Sequence, residues 1–136
     1  MGTFKTFEEI EAWQQARTLA GMVYEASEKG SFRRDFALRD QIRRAVVSAM
    51  SNIAEGFGRG GAREFIQFPS VARGSTSEVS AQLYVALDQG YLRQQEFRLL
   101  HEQATRTGSV ISGLIRYLQK TKLRGSKYRL DGPAER

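Results

Sequence analysis

The stretch LRDQIRRAVVSAMSNIAEGF, running from Leu38 to Phe57, decides the fold. Its apolar residues fall at Leu38, Ile42, Ala45, Ala49 and Ile53, three or four positions apart, and Val46, Met50 and Phe57 broaden the same stripe. A helix turns once in about 3.6 residues, so these steps gather on one face, whereas a half-buried strand would alternate at every second residue. Nowhere in the chain is such alternation sustained. The spacing therefore predicts a helix over 36–57. Asp35 precedes it with a carboxylate suited to the free N–H groups of a first turn, and the run GFGRGG, Gly56 to Gly61, stops it.

The pattern repeats on either side. Phe7, Ile10, Trp13, Ala16, Ala20, Val23 and Tyr24 make the stripe of a first helix over 7–28. Thr6 and Glu9 have the Thr-x-x-Glu spacing of a capping box, and Gly30 with Ser31 marks the end. Phe65, Phe68, Ala72, Ser75, Val79, Leu83, Ala86 and Leu87 predict a third helix over 62–89, closed by Gly90. Pro69 lies inside it and has no N–H to give the Phe65 carbonyl, which predicts a kink or short break between Gln67 and Ser70. Phe97, Leu100, Ala104, Thr107, Ile111, Leu114 and Leu118 predict a fourth helix over 94–122. Residues 123–136 are basic and poor in apolar content, and read as a flexible, disordered tail. Four amphipathic helices joined by short connections specify an all-α, antiparallel up-down-up-down four-helix bundle, a single domain over 1–122.

Composition narrows the function. A chain of 136 residues can bury one core without covalent staples, and the absence of cysteine excludes disulfides, iron–sulfur clusters, thiolate zinc sites and a cysteine nucleophile. The opening MGTFKTFEEIEAW carries acids where a signal peptide needs an apolar segment, and no apolar run approaches the roughly 18 residues of a membrane span. A cytoplasmic protein with no membrane contact is expected. The formal net charge of +6 favours polyanionic partners, because each phosphate neutralised by a cation releases counterions.

Arg33, Arg34, Arg39, Arg43, Arg59, Arg63 and Arg73 gather in sequence around the start of the second helix and the following loop, partly offset by Asp35 and Asp40. Guanidinium groups beside the free amides of a helix start make a candidate anion site. GFGRGG follows no strand and does not end in Gly-Lys-Ser/Thr, so it lacks the context of a nucleotide-binding loop; it also reads as a helix–helix connection with a glycine C-cap. Lys127 and Arg129, interleaved with Tyr128 and Leu130, suit phosphate contact and base stacking, or simply a solubilising end. Catalysis finds no support. His101 sits in EFRLLHEQ without a Glu-x-x-His pair, which excludes a di-iron centre and places it on a solvated helix face, and Ser48, Ser75 and Ser77 have no histidine nearby in sequence. No catalytic residue, metal or cofactor is expected. Tyr84, Tyr91 and Phe97 add bulky apolar surface near the turn between helices three and four, of the kind a cyclic homo-oligomer uses.

From Leu38 the chain reads LRDQIRRAVVSAMSNIAEGFGRGGAREFIQF and then, from Ala72, ARGSTSE. This resembles the family of four-helix-bundle proteins named after the 23S rRNA intervening sequence, whose pattern is close to QIRRA-x-x-S-x-x-x-NIAEG-x-GR, then EF, then A-x-GS-x-x-E. Phe7, Trp13 and Ala16 carry the resemblance into the first helix. The chain departs from it at Pro69, where an aliphatic residue is usual, and at Gly60 and Gly61, where a small hydroxyl residue more often caps the third helix. The resemblance implies a bacterial cytoplasmic bundle. Relatives include the accessory variability determinant protein of diversity-generating retroelements, which looks like a basic homopentamer that binds nucleic acid. A homopentamer contacting RNA or DNA is thus implied here as well.

Gln41, Arg44, Ser48, Asn52 and Glu55 recur at steps of three and four and form a polar stripe beside the apolar one. Such a stripe is ordinarily a solvated face. Because these residues, with Gly56, Gly74 and Ser75, are the motif's own, the resemblance favours subunit contact or fixing the turn into the third helix, with Arg44 and Glu55 candidates for charge pairing across helices. The expectation is a non-enzymatic homo-oligomeric binding or scaffold protein that contacts RNA or DNA. The alternative is a protein–protein adaptor with an acidic protein partner and no nucleic-acid role.

Overall fold

The computed structural model describes the backbone of residues 4–60 and 62–131 and the side chains of 4–60 and 65–121. Among these residues four helices follow one another: α1, Glu11–Ser27; α2, Phe36–Gly58; α3, Ala62–Asp88; and α4, Gln94–Asp131. Single 3-10 turns at Phe7–Glu9 and Phe32–Arg34 precede α1 and α2, and no strand occurs among the described residues. Asp35 caps α2 as its position demands, accepting the Leu38 N–H at 3.1 Å. At the end of α3, Gly90 takes φ +78°, which lets its N–H reach the Leu87 carbonyl at 3.0 Å and the Tyr91 N–H reach that of Ala86 at 2.9 Å.

Three boundaries differ from the sequence pattern. The Thr6 side chain makes no capping hydrogen bond, because the Glu9 N–H it would cap donates to the Thr6 carbonyl at 3.2 Å, while the Glu9 carboxylate accepts the N–H of Lys5 at 3.0 Å; a 3-10 turn forms, and α1 begins only at Glu11. α3 runs unbroken through Pro69. The Phe65 carbonyl that the proline cannot bond lies 3.1 Å from where a Cβ on Gly56 of α2 would stand, so close packing against α2 supports the turn that the proline weakens. The third difference is at the C-terminus: α4 continues past Lys122 to Asp131, since Leu123, Arg124, Lys127, Arg129 and Leu130 favour a helix and outweigh Gly125, Ser126 and Asp131, while the rest of the expected tail, 132–136, lies outside the described residues.

α1 packs on α2, α2 on α3, α3 on α4, and α4 closes back onto α1. Side-chain pairs show the antiparallel register: Gln41 meets Gln82 and Ser48 meets Ser75 between α2 and α3, while Arg73 meets Ser112 and Tyr84 meets Phe97 between α3 and α4. Two apolar clusters form the core. One, at the end where α1 turns into α2, holds Leu19, Val23, Phe32, Ile42, Leu83 and Leu100; the other holds Ile10, Ala16, Ile53, Phe65, Ile111 and Leu118, with Met50 packed against both. Each of these larger side chains contributes about 1.5–3 kcal/mol when taken fully out of water. The α1 stripe is rotated from its expected phase: Leu19 and Ala12 are buried, Trp13 is half-buried and Tyr24 faces outward.

Candidate functional site

The junction between α1 and α2 is built from the inside out. Gly30 turns the chain in the left-handed region at φ +54°, and buried Phe32 then stacks on Tyr91 with ring centroids 5.4 Å apart. The Tyr91 hydroxyl donates to Asp35 Oδ2 at 2.8 Å while Oδ1 caps α2, and this bond to a carboxylate raises the Tyr91 pKa above that of an ordinary phenol. With the backbone so pinned, Arg33, Arg34, Phe36 and Arg39 line one open pocket on the outside. Phe36 is 62% exposed, and the Arg39 guanidinium lies 4.9 Å from its ring centroid. Arg39 also donates to Asp40 at 3.2 Å and to the Arg33 carbonyl at 3.1 Å, and Arg33 itself is 3.9 Å from Glu28. Arg34 makes no ion pair among the described residues.

The other predicted anion ligands separate. Arg43 belongs to the fold: it donates to Ser27 Oγ at 2.8 Å and to Glu28 at 3.0 Å, and its guanidinium lies 4.5 Å over Tyr24, so it clamps α2 to α1. That hydrogen bond, with the charge of Arg33 behind it, holds the Glu28 carboxyl below its usual pKa. Arg59 pairs with Glu55 and lies over Phe68. The turn it occupies is the glycine-capped connection, with Gly60 at φ +81°. Arg73 sits elsewhere, on the side of α3 that faces α4, because its helical phase turns it away from α2. The side chains of Arg63, Lys127 and Arg129 lie outside the described residues, although the backbone of the latter two is part of α4.

The polar stripe of α2, by contrast, is drawn together with α3. Ser48 Oγ and Ser75 Oγ are 3.0 Å apart, Asn52 donates to the Ser48 carbonyl and hydroxyl at 2.8 and 3.1 Å, and Gln82 donates to Gln41 and Glu78, both at 3.2 Å. Gly56 is a close-approach position, where a Cβ would stand 2.9 Å from Phe68 Cβ; Gly74 is exposed, and a Cβ there would meet nothing within 4 Å among the described residues. Arg44 and Glu55 do not pair. They stand on the same helix about 16 Å apart along its axis, and Glu55 meets Arg59 one turn on at 3.3 Å.

A family model described as 23S rRNA-intervening sequence protein matches residues 8–113, from the first 3-10 turn into α4. The chain belongs to this family. No curated protein matches it. Its fold is similar to the crystal structure of a protein of unknown function from the S23 ribosomal protein family of Bacteroides thetaiotaomicron VPI-5482, with a TM-score of 0.69 and 17% identity over 76% of this chain and 97% of that one.

In this 23S rRNA-intervening sequence protein the two motif segments, one on α2 and one on α3, thus meet as a single interhelical seam. Gln82 and Glu78 complete it, and the only sequence signal for Gln82 is its place one heptad after Ser75. His101 is not solvated: it is half-buried, stacked on Phe97 at 5.3 Å and edge-on to Tyr84 at 5.4 Å. Of the bulky residues near the α3–α4 turn, Phe97 is buried, Tyr91 stacks on Phe32, and Tyr84 stays half exposed. Among the described residues no group of three acids or histidines could hold a metal, and no helix is long and apolar enough to cross a membrane.

Proposed function

We propose that this protein is a non-enzymatic, homo-oligomeric binding protein, a cyclic pentamer, that holds RNA or DNA by its phosphates with little sequence specificity. The observation that carries the reading is the junction pocket, where Arg33, Arg34 and Arg39 surround the exposed ring of Phe36. Guanidinium forks match phosphate oxygens, and an aromatic face stacks on any unpaired base, so the combination favours single-stranded nucleic acid without reading its sequence. Self-association is supported by the outer face of α2 and α3, where Val71 and Val85 are exposed on the same side of α3 as Gly74, a Cβ on Gly74 would meet nothing within 4 Å among the described residues, and Arg44 has no ion pair among them.

Light scattering coupled to gel filtration, with absorbance at two wavelengths and with or without nuclease, tests both halves. The expected result is a mass near five subunits carrying nucleic acid that nuclease removes. A nucleic-acid-free monomer overturns the reading. Co-purification of a defined acidic protein that resists nuclease supports the adaptor role in its place.

A further inference from the structure

A second cationic surface lies on the opposite pair of helices. Between α3 and α4 runs an open groove lined by Arg73 and Ser77 from α3 and by Thr105, Ser109, Ser112 and Arg116 from α4. Its two arginines stand near one end: Arg73 Nη1 donates to Ser112 Oγ at 3.4 Å, and Arg116 folds its guanidinium to 3.7 Å from where a Cβ on Gly113 would be. Gly108 keeps the floor low, since the nearest atom to a Cβ there is Thr76 Cγ2 at 4.0 Å.

Neither guanidinium makes an ion pair among the described residues. The reason is written in the helical neighbours. Three and four positions from Arg73 stand Pro69, Ser70, Thr76 and Ser77, and from Arg116 stand Ser112, Gly113, Gln119 and Lys120, none of them acidic. Glu102, one turn before Thr105, bounds only the far end of the groove, about 21 Å along the axis from Arg116. Two unopposed cations beside a row of neutral hydroxyl donors make a site for an anion with more than two acceptor oxygens. A carboxylate is satisfied by one guanidinium; a phosphoryl group can engage both and still take hydroxyl bonds.

We propose that the α3–α4 groove is a phosphate-binding site separate from the junction pocket, in which Arg73 and Arg116 hold the phosphoryl oxygens and Ser77, Ser109 and Ser112 donate to those left over. The phosphate belongs either to a free small molecule or to a nucleic-acid backbone, and the site stands whether or not the junction pocket binds nucleic acid.

Amide chemical-shift titration of the full chain with inorganic phosphate, at ionic strength held constant with chloride, tests it. Shifts are expected in 73–77 and 105–116, with affinity about tenfold or more weaker in Arg73→Gln and in Arg116→Gln, as for loss of a charge-assisted hydrogen bond. Arg34→Gln should leave these shifts unchanged. A short oligothymidylate that moves the same amides and competes with phosphate identifies the backbone as the source, whereas phosphate binding without competition identifies a free phosphate. Equal shifts with acetate, shifts that persist in both arginine variants, or no shifts in the groove with either probe overturn the proposal.

Discussion

At the α1–α2 junction Arg33 reaches Glu28, Arg39 meets Asp40, and Arg43 is locked among Ser27, Glu28 and Tyr24; in the α3–α4 groove Arg73 and Arg116 meet no carboxylate among the described residues. The same residue type serves both regions, and the acids around it differ. Crowding arginines into a short stretch also brought Glu28, Asp35 and Asp40 close to them, so part of the junction's charge is used internally. The sparser groove keeps its cations unopposed. Local arginine density is therefore a poor guide to the charge a partner will meet; where the carboxylates lie, including one across a helix interface such as Glu28 beside Arg43, is a better one.

The strongest way to test the junction's share is to remove Arg33, Arg34 and Arg39 together by substitution with Gln. The slope of log affinity for single-stranded RNA against log salt should flatten by about two, roughly 0.7 per phosphate contact on a single strand, with the groove variants keeping the junction's contribution. An unchanged slope would move the nucleic-acid contact away from Phe36. Arg43→Ala comes next and reads stability: loss of its ring contact and of its bonds to Ser27 and Glu28 should cost about 1–2 kcal/mol in urea denaturation, while Arg73→Ala should stay within about 0.5 kcal/mol. Equal costs for the two would erase the distinction between clamp and free cation. Asp35→Ala should cost about 1 kcal/mol through the lost α2 cap, and the Tyr91 phenol, freed of its carboxylate acceptor, should titrate lower by ultraviolet absorbance.

The smallest effect concerns pH. Arg43 holds the folded Glu28 carboxyl below its ordinary pKa, so this interaction stabilises the fold above the unfolded carboxylate's pKa and is lost as pH falls through the folded one. The stability gap between the wild type and Arg43→Ala should accordingly narrow on acidification below the usual carboxylate range. A gap that does not change with pH would take Glu28 out of the clamp.

Much of this was legible in the sequence. Helix number and order followed from the apolar steps around Leu38, Ile42 and Ile53, and the Asp35 cap and Gly90 stop from short-range backbone chemistry. The site was less legible. Arg43 and Arg44 are adjacent, yet one is a clamp and the other faces solvent without an ion pair among the described residues, because successive positions on a helix point about 100° apart and only one of them meets α1. Phe36, exposed among arginines, follows the cap directly and reads as one more apolar residue at a helix start.

By itself the sequence determined an all-α chain of four amphipathic helices with a surplus of positive charge, because periodicity, capping and net charge are properties of neighbouring residues or of their sum. The tertiary structure decided that Pro69 would not break α3, that the α2 and α3 motif segments would share one seam, and that Arg73 would join Arg116 rather than the junction. Each of these turns on contact between residues distant in sequence, and such contacts are set by how the helices pack against one another.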